Sequence, residues 1–68
     1  MTGLIEIKIQ EHLDLKWQDR FEGVTFRYAG NHTILEGKLN DQAHLHGMLN
    51  LIRDLNLRLI SVIVFDPG

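Results

Sequence analysis

Cysteine is absent from this 68-residue chain. Disulfides, thiolate metal sites and cysteine nucleophiles are therefore excluded. Proline occurs once, at Pro67, so nothing of that kind interrupts the body of the chain. Positive charge is scarce. Seven Lys and Arg stand against nine Asp and Glu, for a formal net charge of −2. No basic field is present to hold nucleic acid or an anionic membrane surface. Long apolar runs are missing too: the longest, Val62-Ile63-Val64-Phe65, is far too short to cross a bilayer. The glycines are scattered singly, so no loop is built to cradle phosphate. Residues 1–6 lack a basic start and a long apolar stretch. No secretory signal is expected, and the cytoplasm is the expected location.

What is present is a globular balance, 44% apolar and 24% charged. The length suits one domain, residues 1–68. A chain this short buries only about 60% of its unfolded surface. Without staples it needs efficient packing or area contributed by a partner.

Residues 4–11 alternate. Ile5, Ile7 and Ile9 point one way, Glu6, Lys8 and Gln10 the other, which predicts a strand with one wet face. Over 14–22 the period changes. Leu13, Trp17 and Phe21 recur every four residues and predict a short helix, capped by Asp14 and left through Gly23. Residues 24–28 alternate again, Gly30-Asn31 offers a turn, and 33–39 predict the return strand. Gly37 inside that strand implies a bulge or a bulky neighbour, with Trp17 or Phe21 as candidates. Over 41–55, Leu45, Met48, Leu49, Ile52 and Leu55 share one helical face. Asn40 or Asp41 caps that helix, and Asn56 with Leu57 fits a Schellman end. Residues 58–65 predict a last strand, apolar on both faces and stopped by Asp66-Pro67-Gly68.

The predicted order is β-α-β-β-α-β. The expected class is α+β, with a ferredoxin-like four-stranded antiparallel sheet, both helices on one face and the first helix short. The expected strand order is 4-1-3-2, with the last strand at an edge and running parallel beside the first. The predicted core holds Ile5, Ile7, Ile9, Trp17, Phe21, Val24, Phe26, Leu35, Leu39, Leu45, Met48, Leu49, Ile52 and Leu55.

Chemistry-bearing motifs are few. His44 and His46 lie about 200° apart around a helix and cannot chelate one ion. His12 adds no convincing third ligand, and His32 falls in a turn. No metal site and no cofactor are expected. Ser61, the only serine, sits in a strand without a nucleophile elbow. Asp14 and Asp41 stand at helix starts, where capping is the ordinary role. No catalytic constellation is legible, so an enzyme is not the expected reading. Trp17 shares its face with Leu13 and Phe21 and reads as core. Ala43 and Gly47 are spaced to let another helix approach.

The segment Asp41-Gln42-Ala43-His44-Leu45-His46-Gly47, followed by Ile52-Arg53-Asp54-Leu55 and Ser61-Val62, resembles a group of short uncharacterised prokaryotic proteins. That group carries D-Q-A-x-L-H-G, then R-D-L and S-V. Glu11-His12-Leu13-Asp14, Trp17 and Phe21-Glu22-Gly23 fit the same pattern, and the likeness covers about residues 5–63. The chain departs from it at Asn56, where the group usually has Gly, and at Arg58, where Pro is frequent. Asn also tolerates the left-handed conformation, so the helix end survives. The resemblance implies a compact domain and no particular reaction. Of the two helical histidines, His46 is the one that matches the motif.

Two functional classes follow. The first is a non-enzymatic interaction or regulatory module that self-associates. It rests on the last strand, whose Ile60, Val62 and Val64 need cover, as an apolar edge strand does. The second is a small-ligand-binding or enzymatic dimer, with His12, Trp17 and His46 converging on a cavity. A binding stripe for an unknown protein or small molecule is expected at Gln42, His46 and Arg53, faced by His12. The competing role for His46 is a hydrogen bond to a backbone carbonyl that fixes the helix against the hairpin. Nucleic acid is disfavoured as a partner. The open face would carry Glu6, Lys8, Thr25, Arg27, Glu36 and Lys38, a mixed set without stacking aromatics.

Overall fold

Alternation along the first strand builds the centre of the fold. A computed structural model describes residues 3–65; the strand stop read at Asp66-Pro67-Gly68 lies outside them. Strand β1 (Gly3–Ile9) buries Ile5, Ile7 and Ile9, each at 2% exposure or less. The remaining strands are β2 (Val24–Ala29), β3 (His32–Leu39) and β4 (Leu59–Phe65). They form one sheet in the order β2-β3-β1-β4, and every pairing is antiparallel. A 3-10 helix (Leu15–Arg20) joins β1 to β2, and helix α1 (Gln42–Asp54) joins β3 to β4.

This corrects the expected ferredoxin-like arrangement. The class is α+β and the neighbour order is the expected one, but among the described residues there is one α-helix, not two. The first connection is six residues of 3-10 helix, closed by i→i+3 bonds from Trp17 N–H to the Asp14 carbonyl and from Phe21 N–H to that of Gln18. Six residues lie well below the length at which an α-helix sustains itself. The segment is also tied down at both ends, by buried Leu13 and buried Phe21. The longer rise of a 3-10 helix spans such a fixed gap with few residues. The expected parallel pairing of the first and last strands is likewise wrong. Each crossover skips a strand, so β4 runs in the direction of β3. Since β3 is antiparallel to β1, β4 must be antiparallel to β1 as well.

The core lies on the isoleucine face. Ile5, Ile7, Ile9, Leu13, Phe21, Val24, Leu35, Met48 and Ile52 form one buried cluster, with Trp17, Phe26, Leu39, Leu45, Leu49 and Leu55 packed against it at partial burial. Leu13, Thr33 and Ile34 are buried beyond the expected set, Ile34 on the face away from the isoleucines. The Thr33 hydroxyl accepts the Leu13 N–H at 2.7 Å and donates to the Glu11 carbonyl at 2.8 Å. The Tyr28 hydroxyl donates to the Leu13 carbonyl at 2.6 Å. Both polar groups of the Leu13 peptide unit are thus satisfied where the chain enters the core.

Helix α1 begins and ends as its sequence predicts. The Asp41 carboxylate accepts the His44 N–H at 2.8 Å. Asn56 takes φ 58°. The Asn56 and Leu57 N–H groups then close on the Arg53 and Ile52 carbonyls at 3.0 Å each, the Schellman pattern. Gly37 departs from its expectation. The register through it is regular, and no aromatic ring presses on it. The backbone of Gly23 and Val24 does: a Cβ on Gly37 would lie 2.8 Å from the Val24 Cα.

Two predictions follow from this packing. Ile52→Ala should lower the free energy of unfolding in urea by about 2–5 kcal/mol; a loss below about 0.5 kcal/mol would mean that the buried face of α1 is misassigned. Gly37→Ala should destabilise by about 1–3 kcal/mol, because strand backbone cannot give way. Gly47→Ala, which meets nothing within 4 Å, should instead raise stability by up to about 1 kcal/mol, and equal effects of the two glycine variants would contradict this geometry.

Candidate functional site

The segment Leu59-Ile60-Ser61-Val62-Ile63-Val64-Phe65 carries no charge, and the topology leaves it at a sheet edge. Its start is fixed by two bonds. Gln10 N–H donates to the Arg58 carbonyl at 2.9 Å, and the Glu11 carboxylate accepts the Arg58 N–H at 2.8 Å. The β1–β4 register then shifts between Lys8 and Ile9, a local irregularity of the kind that re-aims a strand. Beyond it, Val62 opposes Ile7 and Val64 opposes Ile5, while Ile63 opposes Glu6 and Phe65 opposes Leu4. Val62 and Val64 therefore lie on the helix side of the sheet, Ile63 and Phe65 on its open side. Exposure is 46% at Leu59, 47% at Ile60, 42% at Ile63, 51% at Val64 and 46% at Phe65. Val62 is only half-buried and packs on the core. Leu4, at 42%, continues the apolar area onto the open face.

The rest of that face is mixed: Glu6, Lys8, Arg27, Glu36 and Lys38 surround Thr25 and a buried Ile34, which opposes Lys8 and Arg27. Arg27 reaches Glu36 with two nitrogens, Nε to Oε1 at 2.8 Å and Nη2 to Oε2 at 3.4 Å. The expectation that the open face lacks an exposed aromatic needs amending, because Phe65 stands there beside Leu4.

On α1, Gln42, His46 and Arg53 are all exposed, and helical geometry sets them within about 40° of one another. The three share one exposed surface of the helix. His12 is not seated against it; its ring stacks on Tyr28 at 4.3 Å and 12°. Trp17 is half-buried against the core, with the Lys16 ammonium 5.5 Å from its ring centre. His12, Trp17 and His46 thus sit in three different settings. An open groove of about 420 Å³ between the 3-10 helix and α1 is lined by Asp19, Arg20, Glu22, Ala43, His44, Gly47 and Met48, and by none of those three. Among the described residues, no group of three or more His, Asp or Glu is placed to hold a metal. No helix among them is long and apolar enough to cross a membrane.

The fixing role considered for His46 belongs to His44. His46 is exposed and has no side-chain hydrogen bond among the described residues. His44 Nε2 lies 2.6 Å from the Glu22 carbonyl, and Nδ1 accepts the Asn40 N–H at 3.3 Å. These partners hold the ring in its Nε2–H tautomer. Its Cε1 also packs over Gly23, 3.4 Å from where a Cβ would stand. His44 joins the end of the first connection to the start of α1, a contact across 22 positions of sequence. Helical periodicity carries no signal of it.

A family model described as "Domain of unknown function (DUF8691)" matches residues 4–63. The chain belongs to that family. The match runs from β1 into β4 and so spans the 3-10 helix and α1 together. It agrees with the expectation of an uncharacterised protein, over nearly the same residues. No curated protein and no solved structure matches the chain.

His44→Ala should cost about 1–2 kcal/mol in urea unfolding, since it leaves two backbone groups without their partner. His46→Ala should stay within about 0.5 kcal/mol, the usual range for a free surface position. The reverse ranking would return the structural role to His46.

Proposed function

We propose that this chain is a small, non-enzymatic cytoplasmic interaction module that self-associates through β4, with Ile60, Val62 and Val64 in the contact. The observation that carries this reading is the exposure of β4 on both faces at once, 42–51% for five of its seven side chains. A folded monomer seldom leaves so continuous an apolar edge open to water. The other edge is different. β2 carries Arg27, and the 3-10 helix packs beside it. Burying the exposed half of one such aliphatic side chain contributes about 1 kcal/mol. Five from each of two copies are comparable to an association cost on the order of 4–15 kcal/mol.

The D-Q-A-x-L-H-G segment is, on this reading, a mark of the family that builds the start of α1. Asp41 caps the helix, Leu45 packs on the core and Gly47 borders the groove. The exposed stripe of Gln42, His46 and Arg53 is a separate surface, open to a second partner.

Sedimentation equilibrium at tens of micromolar should give a mass about twice the 7.9 kDa of the chain. The double variant Ile60→Lys, Val64→Lys should return it to 7.9 kDa with its circular dichroism unchanged, since both positions are exposed. A single 7.9 kDa species for the parent protein at those concentrations would sink the reading.

A further inference from the structure

The backbone of β4 shows how two copies would meet. In an antiparallel pair the N–H and C=O of one residue point to the same side, and successive residues alternate. The Phe65 carbonyl oxygen lies against β1, 2.9 Å from where a Cβ on Gly3 would stand. Phe65 therefore turns its polar groups toward β1. No register shift interrupts 61–65, so Ser61 and Ile63 do the same. The Gln10 N–H donated to the Arg58 carbonyl gives the same phase from the side of β1. Val62 and Val64 are left with their N–H and C=O groups directed away from the sheet, along its free edge.

We propose that these outward groups pair with β4 of a second copy. The two strands run antiparallel about a two-fold axis at Val62, and the two four-stranded sheets become one continuous sheet of eight. The proposal rests on the self-association reading and specifies its geometry. Three features select a second copy of this chain. The strand is apolar on both faces. Stacking two sheets face to face would cover one set of side chains, whereas edge pairing brings both sets against their counterparts. The seven residues of β4 have Val62 as their midpoint, so full overlap puts the axis there, and Val62 is an outward-pointing residue able to bond its own symmetry mate. The strand is uncharged, so a self-complementary contact sets no like charges against each other.

Amide hydrogen exchange on the full-length, isotope-labelled protein tests this, followed residue by residue at a concentration where the protein is dimeric and again after dilution to monomer. The Val62 and Val64 amides should exchange about tenfold more slowly in the dimer and lose that protection on dilution. The Ser61, Ile63 and Phe65 amides, which face β1, should be protected in both states. A dimer whose Val62 and Val64 amides stay unprotected would overturn edge pairing while leaving self-association standing. A monomer at every concentration would overturn both.

Discussion

Three isoleucines on one strand hold the structure together. Ile5, Ile7 and Ile9 are at most 2% exposed because β1 is an inner strand, paired with β3 on one side and β4 on the other. Their side chains form the floor on which Met48 and Ile52 of α1 rest, and Leu13 and Phe21 complete the cluster. Every other element is placed relative to that floor. The wet face opposite carries Glu6 and Lys8, so a one-residue slip of β1 would exchange isoleucine for charge throughout the core.

The connections are fixed by side chains reaching backbone. Thr33 and Tyr28 hold the Leu13 peptide, and His44 holds the Glu22 carbonyl. These contacts explain how a connection of only six helical residues, none of them buried, can be ordered. Leu13 and Phe21 on either side of it are the anchors. Among the described residues no buried side-chain nitrogen or oxygen lacks a partner, as a small core with little burial to spare requires.

The two sheet edges are unequal. β2 carries a charged residue and has the 3-10 helix against it. β4 carries neither charge nor proline and leaves its side chains half-exposed on both faces. Helix α1 packs over β1 and β3 and does not extend its cover to Val64. That edge is the one the self-association proposal assigns to a second copy.

Local rules fixed a good deal of this molecule from the sequence alone. The four strands, the span of α1, the Asp41 cap and the Asn56 turn all follow from periodicity and from which residues accept a left-handed backbone. So does most of the core, since one residue in two or three along an element must face inward. That the chain belongs to an uncharacterised family was legible in the same way, in contiguous residues. Tertiary structure decided the rest. Whether Leu13, Trp17 and Phe21 drive an α-helix or a 3-10 helix depends on the gap between their anchors. The direction of β4 depends on which strand each crossover skips. His44 rather than His46 ties α1 to the first connection because the Glu22 carbonyl lies within reach of it, and Gly37 answers to the backbone of Gly23 and Val24. Distances between residues far apart in the chain set all four outcomes, and no local pattern encodes such a distance.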